Sequence, residues 1–185
     1  MTGATSETDE RRERMIPIRT SAREALLAAV VAALATLRIA QVAGAQSFAP
    51  SKLFDGTNGP ELLQGTNERD TMRAFGGEDS VFGQGAGDSI VGGDGDDLLA
   101  GRSGDDVVLG SPGEDSISGG FGNDSLNGGP GGDSMFAGFG NDYVVVASSD
   151  GARDLVDCGP GVGDRVLADR GDRIEGCEVV EYASG

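Results

Sequence analysis

A nine-residue period runs through the middle of this chain, from Gly56 to Val145, without insertion or deletion. The ninety residues divide into ten blocks, each beginning with glycine or alanine. In every block the sixth residue is a carboxylate and the eighth is apolar, and the fourth is glycine except at Glu68 and Ala86. Three columns that stay in register over ten copies identify a tandem repeat. The period predicts a stack of small similar units rather than one thick core.

Each block has the composition of a turn followed by a very short strand. Six residues rich in Gly, Asp and Asn favour a turn with positive φ angles, and the last three favour a strand with one side chain inward and two outward. Two blocks then make one coil of eighteen residues, and ten blocks make five coils whose strands pair in parallel. The inward side chains are Leu63, Met72, Val81, Ile90, Leu99, Val108, Ile117, Leu126, Met135 and Val144.

The pattern resembles the RTX, or haemolysin-type, calcium-binding nonapeptide repeat, GGxGxDxUx. Residues 92–100 and 119–127 match it most fully, and the resemblance covers about half of the chain. It implies an all-β fold, a parallel β-roll or β-helix solenoid of about five coils followed by an irregular C-terminal cap. It also implies calcium ions between the turns of neighbouring coils, held by main-chain carbonyls and by the sixth residue of each block. Those residues are Asp70, Asp79, Asp88, Asp97, Asp106, Asp115, Asp124, Asp133, Asp142 and, as a weak ligand, Glu61.

Stacking places these carboxylates in two columns, with about 4.8 Å between neighbouring coils. Like charges at that distance oppose folding unless a cation binds between them. Calcium accepts six to eight oxygen ligands with tolerant geometry, whereas magnesium requires a stricter octahedron and zinc prefers histidine or thiolate ligands. The alternative is that the aspartates are solvated turn residues with no ion, although a simple turn preference does not explain ten carboxylates in ten blocks.

The charge balance supports calcium as the partner. Each column of five carboxylates has four gaps, so eight ions is the upper bound. Residues 1–45 hold six of the 14 basic and five of the 31 acidic residues, which leaves 8 against 26, a net charge of −18, for the remainder. Eight calcium ions would bring that charge to −2.

Departures from the pattern concentrate in the first two blocks. Pro60 and Glu61 make the first irregular, and Glu68 and Arg69 replace small turn residues in the second. We expect these blocks to form a weaker cap, as terminal repeats often do. Ala86 stands where glycine is preferred and is expected to strain its turn.

Charge and composition exclude several classes of function. A formal net charge of −17 excludes a nucleic-acid binder, because phosphate would be repelled. The chain has no histidine, which excludes the Ser-His-Asp triad and histidine metal sites. No nucleophile paired with a base is apparent, so we expect no enzymatic activity. A carboxylate pair of the glycosidase kind is the one catalytic arrangement that so many acids leave open.

Residues 1–45 have the features of a signal peptide. Five arginines precede a thirteen-residue apolar run over 25–37, and the small residues 43–45 form a cleavage signature before Gln46. Met15 is a possible true start. The alternatives are an amphipathic helix or a membrane anchor. Cleavage would make residues 46–55 a linker before the repeats, and we expect a secreted, extracellular protein with no stable membrane insertion of the mature chain.

The C-terminal segment, residues 146–185, loses the nine-residue period. An acid still stands two residues before an apolar residue in the triplets that begin at Asp154, Asp164 and Asp172. This pattern predicts irregular further coils that cover the open C-terminal end of the solenoid. Cys158 and Cys177 are the only cysteines, and in an exported chain such a pair usually forms a disulfide. Free thiols and a soft metal site are the alternatives.

Two functions fit these observations. The first is a secreted calcium-binding repeat protein that folds on binding calcium, with a structural or interaction role. The second is a calcium-dependent adhesin or cell-envelope module that binds carbohydrate or protein. Its contact surface would consist of outward residues such as Phe82, Val91, Leu109, Phe136, Tyr143 and Val145.

Overall fold

A computed structural model describes residues 51–148 and 150–183 of the chain. Within these residues the chain forms fifteen β-strands and no helix. Each strand pairs in parallel with the strand two places further along the chain, so the odd-numbered and even-numbered strands form separate sheets. The predicted class, an all-β parallel solenoid, is confirmed.

The two sheets contain eight and seven strands. The larger sheet consists of β1 (Lys52–Asp55), β3 (Asp70–Gly76), β5 (Ser89–Asp94), β7 (Val107–Leu109), β9 (Ser125–Asn127), β11 (Tyr143–Val145), β13 (Arg165–Ala168) and β15 (Val179–Tyr182). The smaller sheet consists of β2 (Leu62–Gln64), β4 (Ser80–Gly85), β6 (Leu98–Ser103), β8 (Ser116–Phe121), β10 (Ser134–Phe139), β12 (Leu155–Asp157) and β14 (Arg173–Glu175). One strand of each sheet, with the turn after it, makes one coil.

The register of the strands follows the repeat. Val81 pairs with Leu99, and Leu99 pairs with Ile117, so residues eighteen apart lie side by side. The eighth residue of each block points into the narrow space between the sheets. From Met72 to Val144 these side chains are fully buried, whereas Leu63 in the first block is only partly buried. The core is therefore two adjoining rows of single apolar side chains, as the period predicts.

The roll is longer than the predicted five coils and has about seven. At the C-terminal end, Met135 pairs with Val156 across β10 and β12, and Val144 pairs with Val166 across β11 and β13. Residues 146–183 therefore continue both sheets, although longer loops break the nine-residue spacing. At the other end, β1 pairs with β3 and adds a half coil. Residues 52–55 of the expected linker are thus part of the roll.

The predicted disulfide between Cys158 and Cys177 is present, with the two Cα atoms 5.2 Å apart. Cys158 follows β12 and Cys177 follows β14, and these two strands are neighbours in the smaller sheet. The bond therefore ties the last coil of that sheet to the coil before it. It overturns the alternatives of free thiols and a soft metal site.

The expected signal peptide, residues 1–45, lies outside the described residues. Among the residues that are described, none belongs to a helix with the length and apolar character needed to cross a membrane.

Candidate metal centre

The sixth residue of each block lies at the point where a turn becomes a strand. Side chains alternate along a strand, so this residue points inward together with the apolar residue two places later. All nine repeat aspartates are buried, each with 3% or less of its surface exposed. Glu61 in the first block is half-buried. The aspartates therefore lie inside the roll, at the edges of the apolar rows, and are not solvated turn residues.

In every buried repeat aspartate except Asp70, one oxygen accepts a hydrogen bond from the main chain of a neighbouring coil. The backbone N–H of Asp79 donates to Oδ1 of Asp97 over 2.9 Å, and that of Asp97 donates to Oδ1 of Asp115 over 2.9 Å. The same bond recurs on the other side, where Asp88 donates to Oδ1 of Asp106 over 2.7 Å. Each carboxylate from Asp79 to Asp142 thus receives one hydrogen bond from the residue eighteen positions earlier, which fixes its orientation.

The second oxygen has no such partner. Buried side-chain oxygens without a hydrogen bond are Oδ1 of Asp70 and Oδ2 of Asp79, Asp88, Asp97, Asp106, Asp115, Asp124, Asp133, Asp142 and Asp164. A buried carboxylate oxygen without a donor or a cation is costly, because it has lost its water and gained nothing in exchange. Such an oxygen in coil after coil indicates that a positive charge completes the structure.

Where a block begins with glycine, the missing side chain lets the carboxylate oxygen lie close against the main chain. A Cβ built on Gly83 would overlap Oδ2 of Asp88 and would lie 2.9 Å from the carbonyl oxygen of Gly101. A Cβ on Gly92 would meet Oδ2 of Asp97 and the carbonyl oxygen of Gly110 in the same way. In these blocks one carboxylate oxygen and one main-chain carbonyl oxygen, both acceptors, therefore lie close to the first glycine.

The donor set suits a hard cation. Among the described residues, no three histidine, cysteine, aspartate or glutamate side chains come together as a metal-binding group. A cation in this roll would therefore draw on carboxylates together with main-chain carbonyls, which are the ligands that calcium prefers. The arrangement fits calcium and does not suit zinc, which favours histidine and thiolate.

Burial makes these aspartates difficult to ionise when no cation is bound. Loss of solvent raises the pKa of Asp106 and Asp115 to about 7, and that of Asp88, Asp124 and Asp133 to about 6. The hydrogen bond from the neighbouring coil lowers the pKa, but aspartates above and below raise it again, as Asp124 and Asp88 do for Asp106. The fold thus disfavours the charged carboxylates that a divalent ion would stabilise.

The columns extend further than the repeat. The backbone N–H of Asp133 donates to Oδ1 of Asp154, and that of Asp142 donates to Oδ1 of Asp164, both within 2.8 Å. Asp154 then donates to Asp172, and Asp164 donates to Oε2 of Glu178. One column therefore ends at Asp172 and the other at Glu178. The acid-x-apolar triplets at 154, 164 and 172 were the signal in the sequence, whereas Glu178 was missed.

A second ladder lies at the fifth residue of the block, and it was missed from the sequence. Oδ1 of Asp96 accepts from the N–H of Glu114 over 2.8 Å, and Oδ1 of Asp105 accepts from the N–H of Asn123 over 2.8 Å. Oδ1 of Asn123 accepts in turn from Asn141. These side chains are exposed, so they hold the turns together without being buried. The recurrence of Asp, Asn and Glu at this place was the available signal.

The expected strain at Ala86 is present. Its φ is 64°, in the region that favours glycine, where the fourth residue of later blocks such as Gly95 has a φ of 130°. The second position is strained as well, since Gln84 and Arg102 have φ angles of 89° and 79°. These side chains occupy places where the family pattern has glycine.

Comparison with known proteins agrees with this geometry. The family described as RTX calcium-binding nonapeptide repeat (4 copies) matches over residues 55–88, 82–117 and 109–144, which together span about half of the chain. No curated protein and no solved structure matches. The aligned residues are those that form the turns and the two carboxylate columns. The chain therefore belongs to the RTX calcium-binding nonapeptide repeat family.

Proposed function

We propose that this protein is exported and that its roll forms when calcium binds between the stacked turns, in a structural or interaction role without catalysis. The observation that carries the proposal is the row of buried carboxylate oxygens without a hydrogen-bond partner. The proposed ligands are the ten sixth-position carboxylates, Glu61 being the weakest, together with carbonyls of the turns. At most eight ions would occupy the gaps between them.

The chain's own residues prepare the turns for the ion. The Oδ1 ladder, seen between Asp97 and Asp115, holds each carboxylate in one orientation. The glycine that begins eight of the ten blocks allows the carboxylate oxygen to lie against the main chain, and the exposed fifth-position ladder ties adjacent turns. Calcium supplies the positive charge that offsets the repulsion along each column and the lost solvation.

Export is supported by two features of the chain. The Cys158–Cys177 disulfide is of the kind that persists in oxidising compartments. The apolar run and cleavage signature within residues 1–45 have the order of a signal peptide. Extracellular calcium at millimolar concentration would then keep the roll folded after export, whereas the low calcium inside a cell would leave it unfolded.

The adhesin alternative is less well supported by the placement of its residues. Phe82 and Phe136 lie in β4 and β10 of the smaller sheet, whereas Leu109 and Tyr143 lie in β7 and β11 of the larger one. The outward residues considered for contact, including Val91 and Val145 in β5 and β11, are thus divided between two sheets. We therefore favour the structural role.

Calcium counting tests the proposal directly. Native mass spectrometry and calorimetry of the protein with calcium are expected to show several bound ions, because each column offers a series of similar gaps. Magnesium at the same concentration is expected to bind much more weakly, since it holds its water and requires octahedral geometry. Failure to bind calcium, or equal binding of magnesium, would refute the proposal.

The calcium-free protein is expected to hold more β structure at pH 5 than at pH 8. In the roll the pKa of Asp106 and Asp115 is about 7, well above the ordinary value of 3.8 for an unfolded chain. Between these values the folded state binds more protons, so its stability falls as the pH rises. Circular dichroism of metal-depleted protein measures the effect, and equal or greater β content at pH 8 would contradict it.

A further inference from the structure

We infer that threonine, and not calcium, closes the first turn of each carboxylate column, so that the N-terminal end of the roll is capped without metal. The residues are Thr57, opposite Glu61, and Thr66, opposite Asp70. The inference rests on the proposed function and narrows it, because it removes Glu61 and Asp70 from the set of calcium ligands.

Both threonines bond the carboxylate of their own block through the backbone N–H and the hydroxyl. The backbone N–H of Thr66 donates to Oδ2 of Asp70 over 2.5 Å, and its hydroxyl donates to the same oxygen over 3.0 Å. The N–H of Thr57 donates to Oε2 of Glu61 over 2.8 Å, and its hydroxyl contacts Oε1. Each hydroxyl also accepts from the backbone two residues on, at Glu68 and at Gly59. The arrangement occurs twice, nine residues apart.

Later turns are built differently at the same position. The N–H groups of Gly93 and Ser111, second in their blocks, donate to the carbonyl oxygens of Gly110 and Gly128 in the next coil. Both residues have positive φ, 117° and 87°, whereas neither threonine does. The positive φ aims the N–H along the roll. In the first two blocks the N–H instead points at the block's own carboxylate.

This difference decides whether a cation can bind. In the later blocks the inner oxygen Oδ2 has no donor, so it is free to face a cation. In the second block Oδ2 of Asp70 already receives two hydrogen bonds from Thr66. The hydrogens of those donors place positive charge where an ion would approach Oδ2, and the N–H group cannot itself ligate calcium. Only Oδ1 of Asp70 is unpartnered, and no sixth-position residue precedes it in its column.

The positively charged side chain of Arg69 lies at the same end of the second carboxylate column. Arg69 and Asp105, fifth in their blocks, line one hollow with Gly87 and Asp88. A Cβ built on Gly87 would lie 3.6 Å from Nη2 of Arg69, so the guanidinium extends over the turn that ends at Asp88. Arg69, which breaks the family pattern, thus supplies positive charge where the column begins.

The inference changes the expected number of ions. Eight gaps separate neighbouring carboxylates within the ten repeats. Loss of the first gap in each column, Glu61 to Asp79 and Asp70 to Asp88, leaves six. The roll would then have one end closed by threonine and arginine, and the other tied by the Cys158–Cys177 disulfide.

Ion counting on paired variants of the full chain tests this inference. The Glu61→Gln and Asp70→Asn double variant keeps an acceptor for each threonine and is expected to bind as many calcium ions as the unmodified protein. The matched Asp97→Asn and Asp106→Asn variant, with one change in the interior of each column, is expected to bind fewer. A lower ion count in the first variant would overturn the inference. If the unmodified protein binds no calcium, the proposed function fails instead.

A stability measurement provides the second readout. Thr57→Val and Thr66→Val together remove both hydroxyls and keep the branched shape. In saturating calcium this variant is expected to unfold at a lower urea concentration with an unchanged ion count. Thr71→Val, in β3 and half-buried outside the columns, is the control. A urea midpoint equal to that of the control would count against the threonine caps.

Discussion

Removal of calcium is expected to convert the protein from a β-sheet to a random-coil circular dichroism spectrum at pH 7.5. Each strand contributes at most one large apolar side chain to the interior, so the roll has little hydrophobic surface with which to offset the entropy of ordering the chain. The same interior holds nine buried repeat aspartates, each with an oxygen that lacks a hydrogen-bond partner. Without a cation, these two features together favour the unfolded state.

The measurement is a calcium titration after treatment with excess chelator. The β signal is expected to return as calcium reaches millimolar concentration, in one cooperative step, because each coil is stable only when its neighbours are formed. Magnesium at equal concentration is expected to restore much less. The disulfide remains intact under these conditions, so the experiment isolates the metal. A folded spectrum in excess chelator would refute coupled folding.

The rows of apolar and acidic side chains could be predicted because both follow directly from the period. A coil of eighteen residues places Leu99 beside Ile117 and Asp97 beside Asp115, whatever the details of the turn. The alternation of a strand then sends both kinds of side chain inward. The sequence therefore sufficed for the fold class and for the inward rows.

The length of the roll and the chemistry of its ends could not be predicted in this way. Val144 and Val166 pair although they stand 22 positions apart, not eighteen. Two strands can pair across a longer connecting loop, but a fixed eighteen-residue coil does not predict where such a loop occurs. The roles of Thr57 and Thr66 depend on the sign of φ at one residue, which decides where an N–H points. Threonine is β-branched and disfavours positive φ, so its identity was an available signal, but the repeat period alone does not use it.

Replacement of Asp97 and Asp115 by asparagine is expected to weaken calcium binding in the middle of one column. Asparagine keeps the oxygen that accepts from the N–H of Asp79 and of residue 97, so the ladder is preserved. The substitutions remove the negative charge and the anionic Oδ2, an oxygen that has no hydrogen-bond partner in the roll. These two residues border three successive gaps, between Asp79 and Asp133, so up to three ions are expected to be lost.

The effect is expected as a fall in ion count and a rise of about 10-fold or more in the calcium concentration needed for folding, equivalent to about 1.4 kcal/mol or more. The matched control is Asp96→Asn with Glu114→Gln, which removes two charges from the fifth positions of the same two blocks. Those side chains are exposed and joined by the outer ladder, so the ion count should stay unchanged. If both double variants lower the count equally, net charge governs binding and the buried column does not. If the first variant binds calcium as the unmodified protein does, the sixth-position carboxylates are not the ligands.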